Sequence, residues 1–137
     1  MKQVTFRLKP KELLKERIEQ YCSEASIAAG CVVSGVGSLE KTVLRMADAV
    51  AGYDPKKSWD EPVEIVSITG TVSKSGCHVH LSVSDKNGHV FGGHLTNGCV
   101  VNMTAEIVLL VFDDVEYKRE LDPETKFNEL TVQKLCK

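Results

Sequence analysis

All four histidines of the chain lie between positions 78 and 94. His78 and His80 stand in a strictly alternating run, Cys77 to Ser84, in which Val79, Leu81 and Val83 point one way and His78, His80, Ser82 and Ser84 the other. A second run, Val90 to Thr96, carries Phe91 and Leu95 as its apolar markers, and His94 belongs to the face opposite Leu95. The loop between the runs decides whether the imidazoles meet. A two-residue Asn87-Gly88 turn would drive Phe91 and Leu95 onto the polar face. A three-residue loop, Lys86-Asn87-Gly88, fits a type I turn with glycine in the left-handed position of a G1 bulge. It sets Val83 against Phe91 and Leu81 against Gly93 on the core side, and His80 directly opposite His94. Side chains so paired have Cβ atoms about 5 Å apart, and His78 follows two residues along on the same face.

Three neutral imidazoles on a rigid hairpin suit a divalent metal, Zn above others, with a fourth position open to water or a ligand. Imidazole titrates near an ordinary pKa of about 6.5, so occupancy is expected to fall as pH drops through roughly 6 to 5. Gly92, on the same polar face, leaves room for a ligand or another backbone. His89 sits at the turn and reads as exposed, and Cys77 points away from the histidines. Cys99 could approach them after the Thr96-Asn97-Gly98 turn, but it reads better as a small buried hydrophobe. Glu106 interrupts the apolar run 99–112. It is either paired with a cation at a subunit contact or lines the metal pocket as ligand, hydrogen-bond acceptor or general base.

The elements that must position these groups follow from periodicity. Val4 to Leu8 alternates as a short strand. Pro10 opens an amphipathic helix whose stripe is Leu14, Ile18, Tyr21, Cys22, Ala25 and Ala29, with Gly30 just past its end. Strands are expected at 31–36, 42–49, 64–73, 77–84, 90–96 and 99–112, and a short one at 117–121. Gly35-x-Gly37 separates the first two; no third glycine and no helix follow, so it is no dinucleotide fingerprint. Residues 52–62 form a loop holding Trp59, which reads as a packed anchor. One helix followed by hairpin-linked strands means an α+β domain, an antiparallel β-sheet with the N-terminal helix packed on one face.

The chain has 137 residues, 42% hydrophobic and 26% charged, enough for one domain over 1–137 with a real core. Its net charge of -2 weighs against a stand-alone DNA binder. Five cysteines, an odd number without CxxC spacing, fit a reducing compartment, and no signal peptide or membrane span is read, so the expected localisation is cytoplasmic.

Several of these stretches together resemble the PPC family, the domain shared by plants and prokaryotes: EIVSITGTVS at 64–73, GCHVHLSVSD at 76–85, GHVFGGHL at 88–95, GCV at 98–100 and TAEIV at 104–108. The resemblance runs from Val4 to about Leu121. It implies a compact antiparallel sheet assembled as a homotrimer, which the long apolar strand and Trp59 also suit. Prokaryotic-type members resemble this chain in carrying H-x-H…G-G-H histidines linked to a bound metal, which fall here on His78, His80 and His94. Plant members add AT-hooks and bind AT-rich DNA through them. This chain has no R-G-R-P core and no basic tail, so direct sequence-specific DNA binding is not expected to come with the fold. The leading expectation is a trimeric metal-binding domain that takes a small ligand or partner at the three-histidine site. The alternatives are a metal-dependent hydrolase using metal-activated water and a DNA-associated regulatory domain acting through protein contacts.

Overall fold

The structure is a computed structural model that describes residues 1–136. In chain order its elements are β1 (Lys2–Leu8), α1 (Leu14–Glu24), β2 (Gly30–Arg45), β3 (Lys56–Trp59), β4 (Val63–Ser73), β5 (Gly76–Ser84), β6 (Val90–Leu95), β7 (Val100–Val111), β8 (Val115–Leu121) and β9 (Asn128–Lys134). Seven strands form one sheet in the order β1-β7-β2-β4-β5-β6, with β3 on β2. All the pairings are antiparallel, as alternation and short hairpin loops require.

The long strand β2 gives the sheet its shape. It pairs with β4 through residues 30–39 and then reaches β6, where Leu44 meets Leu95 and Arg45 meets His94. The path β2-β4-β5-β6 therefore returns to β2 and closes a ring. Gly35-x-Gly37 does not break this strand. Register shifts against β7 mark bulges there instead, and bulges bend a strand without ending it.

Helix α1 is shorter at both ends than expected, starting at Leu14 rather than Pro10 and ending at Glu24. Lys11 takes a left-handed φ of 74° and its N–H donates to Val101 O, so the segment before Leu14 is tied to β7 rather than wound. Ser26, with φ 51°, stops the helix, and Gly30 begins β2. Leu14, Ile18 and Cys22, one turn apart, are buried on α1, which packs against β4, β5 and β7. Val79, Leu81, Val83 and Leu95 join the same core beneath the sheet. Trp59 belongs to β3, inside the expected loop, and lies on Phe91 with ring centroids 4.5 Å apart.

The C-terminal segment forms the hairpin β8–β9, a separate two-stranded sheet. It is fastened by Tyr117 N–H donating to Ala28 O and by Arg119 Nη2 donating to Thr71 Oγ1 at 2.7 Å. At the other end of the main sheet the Met1 ammonium lies 3.0 Å from the Asp113 carboxylate, so β1 starts where β7 finishes. No helix among the described residues is long and apolar enough to cross a membrane.

Candidate metal centre

The β5–β6 hairpin adopts the odd-loop register: His80 pairs with His94, Leu81 with Gly93, Ser82 with Gly92 and Val83 with Phe91. Gly88 takes φ 80°, which favours glycine, and its N–H donates to Asp85 O. The Asp85 carboxylate accepts from the Asn87 and His89 N–H groups at 2.8 and 2.9 Å and fixes the turn further. On the other side β4 crosses behind His78 at Gly70, where a Cβ would stand 2.0 Å from His78 O. Only a glycine lets the two backbones approach so closely there.

The consequence is convergence. His78, His80 and His94 each offer one nitrogen, and these atoms all lie within 4.8 Å of one another. His78 Nε2 and His80 Nε2 are 3.3 Å apart. Tetrahedral zinc with Zn–N bonds of about 2.0–2.1 Å needs nitrogens about 3.3–3.4 Å apart. That edge already has the required length. Three histidines with no bound carboxylate suit a borderline-soft divalent ion such as Zn.

The surroundings favour the neutral ligand form. Burial first, then the nearby Arg45, His78, His80 and Lys15 charges, holds His94 down at about 4. Burial, then the Arg119, His80 and Arg45 charges, also lowers His78. Arg45 Nη2 lies 3.1 Å from His94 Nδ1. A guanidinium can only donate, so it uses the Nδ1 lone pair and leaves the proton on Nε2. A metal that takes His94 displaces Arg45 from that nitrogen either way: it occupies Nδ1 itself, or it takes Nε2 and moves the proton to Nδ1, which then no longer accepts.

The cluster opens into two cavities of about 430 Å³ each. One is polar, with Arg45, Arg119, Glu19 and Glu129 in its wall; the other is lined by Met46, Ala47, Ala49, Gly92 and Gly93. Phe127 of the C-terminal hairpin borders both, beneath the Arg45 guanidinium at 5.5 Å from ring centroid to Cζ. Gly92 thus stands at the cluster; a Cβ there would meet Leu81 O at 2.5 Å.

Cys99 is buried elsewhere. Its sulfur bonds Val43 N–H and O at 3.2 and 3.3 Å, and burial pushes its thiol up to about 11. Cys77 turns towards α1, where its sulfur lies 3.5 Å from Glu19 Oε1, and burial pushes it up to about 12. Exposed Glu106 stands on β7 opposite Arg7 and Val36, with β2 and β4 between its strand and β5. His89 is exposed, with Nδ1 3.3 Å from Asp85 Oδ2. Arg45, Arg119 and Phe127 have no counterpart in the sequence reading. They reach the histidines through the β2–β6 closure and the C-terminal hairpin, pairings that no local pattern marks.

Residues 1–113 match the Plants and Prokaryotes Conserved (PCC) domain, also written PPC. The chain is 39% identical over 133 residues to the bifunctional protein GlmU of Synechococcus sp. strain JA-3-3Ab, covering 96% of this chain and 20% of that one. It thus spans about a fifth of the length of the curated relatives it matches. A hypothetical protein from Salmonella enterica superposes with a TM-score of 0.88 at 27% identity, over 97% of this chain and 94% of that chain. A metal-containing protein from Archaeoglobus fulgidus superposes with a TM-score of 0.81 at 29% identity, over 96% and 94%.

Proposed function

The chain belongs to the Plants and Prokaryotes Conserved domain family, and from that premise we propose that it is a metal-binding module that holds one divalent ion, Zn by preference, on His78, His80 and His94. The observation that carries this reading is the convergence of three ligand nitrogens within 4.8 Å on one polar sheet face. The similarity to an Archaeoglobus fulgidus protein described as metal-containing supports it. Bound there, the ion supplies a Lewis-acid centre with a position open to a small ligand. Gly92 and Gly93 let the β5 and β2 backbones close in beside that position, and Arg45 and Phe127 border it.

The site is to be tested by dialysis of the purified protein against Zn, followed by elemental analysis. One ion per chain is expected in the wild type, and none in the variant with all three histidines replaced by alanine. Equal Zn content in both proteins overturns the assignment. The module is further proposed to work as a homotrimer in the cytoplasm. Val33 and Val36 of β2 and Val66 of β4, all more than half exposed at 52%, 57% and 53%, leave apolar surface for a second copy.

A further inference from the structure

Resting on that metal reading, we infer that the polar cavity beside the histidines binds a small organic carboxylate, gripped by the guanidinium of Arg119 together with that of Arg45. The argument starts from charge. Two guanidiniums and two carboxylates, Glu19 and Glu129, line this cavity. Neither carboxylate faces an arginine as an ion-pair partner. Glu19 Oε1 bonds Lys15 Nζ at 2.7 Å and the Cys77 N–H at 3.2 Å, and Glu129 accepts from Thr125 Oγ1 at 3.0 Å. Neutral imidazoles cancel none of the charge of a divalent ion, so loading the histidines leaves the cavity with a surplus of positive charge. An anion is the ligand that restores balance.

The two arginines are held as a binding device requires. Arg119 is half-buried, and among the described residues it forms no ion pair; its one hydrogen bond, from Nη2 to Thr71 Oγ1, spends one of five donors. Arg45 spends Nη2 on His94 Nδ1 and has only a long ion-pair contact of 3.9 Å with Asp54, and its guanidinium lies over Phe127. Each retains N–H groups free for a carboxylate fork. A cavity of about 430 Å³ lies in the usual range of small-molecule sites, about 300–1,000 Å³. The apolar cavity on the other side of the histidines, with Met46, Ala47 and Ala49, gives the carbon end of the ligand a place. The ligand is therefore a carboxylate with a short apolar part and an oxygen able to reach the metal.

The test is calorimetric titration with acetate, pyruvate and succinate at fixed ionic strength, on Zn-loaded and Zn-free protein. The wild type, Arg119→Ala, Arg119→Lys and Thr71→Val are compared, with circular dichroism to check folding. Zn-loaded wild type should bind at least one of the three carboxylates. Arg119→Ala should weaken that binding at least tenfold, Arg119→Lys should recover part of it, and Thr71→Val should weaken it less. Zn affinity should stay within twofold throughout. If Zn fails to bind, the metal reading falls, while Arg119-dependent carboxylate binding to the Zn-free protein still upholds the anion site. The site is overturned if none of the three is bound by the wild type in either form, or if Arg119→Ala and Thr71→Val bind as well as the wild type.

Discussion

At the scale of single residues, the centre depends on imidazoles that stay neutral. In the folded protein His94 protonates only near 4, and His78 also below its ordinary 6.5, because burial and neighbouring cations disfavour the charged rings. In the unfolded chain both protonate near 6.5. Between these values the folded state binds fewer protons. The stability involved is complete above about 6.5 and is lost as pH falls towards 4. Urea midpoints of the metal-free protein should therefore drop between pH 7 and pH 5, and less so in His94→Gln. For the same reason Zn should survive acidification from pH 6 to pH 5 better than the ordinary imidazole value of about 6.5 implies. Neighbouring positions on one strand give the sharpest contrast. His80→Ala should cost more than about 100-fold in Zn affinity, beyond the effect of losing an outer hydrogen-bond partner, and leave the fold standing. Leu81→Ala, buried in the core, should cost about 2–5 kcal/mol in denaturant unfolding.

At the scale of elements, the hairpin that makes the site was legible because parity is a strict rule. The apolar set Val79, Leu81, Val83 and Leu95 had to share one face, and Gly88 could complete the only loop that allowed it. Deleting Val90 from β6 should undo this. With the Asp85–His89 turn kept, His94 moves opposite Leu81 onto the core face while Phe91 and Leu95 pass to the polar one, so Zn binding should vanish while Lys86→Ala, at an exposed position, leaves it intact. The ends of α1 were less legible, because Lys11 takes a left-handed conformation where its N–H reaches β7 at Val101 O, and Ser26 takes one where it and Ile27 cap the helix on Ser23 O and Cys22 O, neither at a glycine. Nor does any repeat of two or of 3.6 announce that β2 will run past Gly35 and Gly37 and place Arg45 against His94. Non-local pairings of this kind supplied Arg45, Arg119 and Phe127 to the cavity wall, and β9 lay in a stretch where charged and apolar residues give no clear period.

For the whole molecule, assembly and partners are the open quantities. Light scattering at micromolar concentration should give about three times the 15.1 kDa chain mass; a value near 15 kDa would refute the trimer. Replacing Val36 and Val66 by Lys, at exposed positions that leave the core untouched, should shift the mass towards one chain. Duplex DNA should bind only weakly and without sequence preference, since a net charge of -2 supplies little of the counterion release that drives such complexes. Nanomolar sequence-specific binding at physiological salt would refute this. The meeting of Met1 with Asp113 bears on how such a unit can be carried. Lys2 lies beside Val111 on adjacent strands, about 4.8 Å apart by ordinary sheet spacing. A polypeptide fused ahead of Lys2 would therefore emerge beside the root of β8–β9, the two strands meeting like a loop drawn out of a thread and pinched at its base.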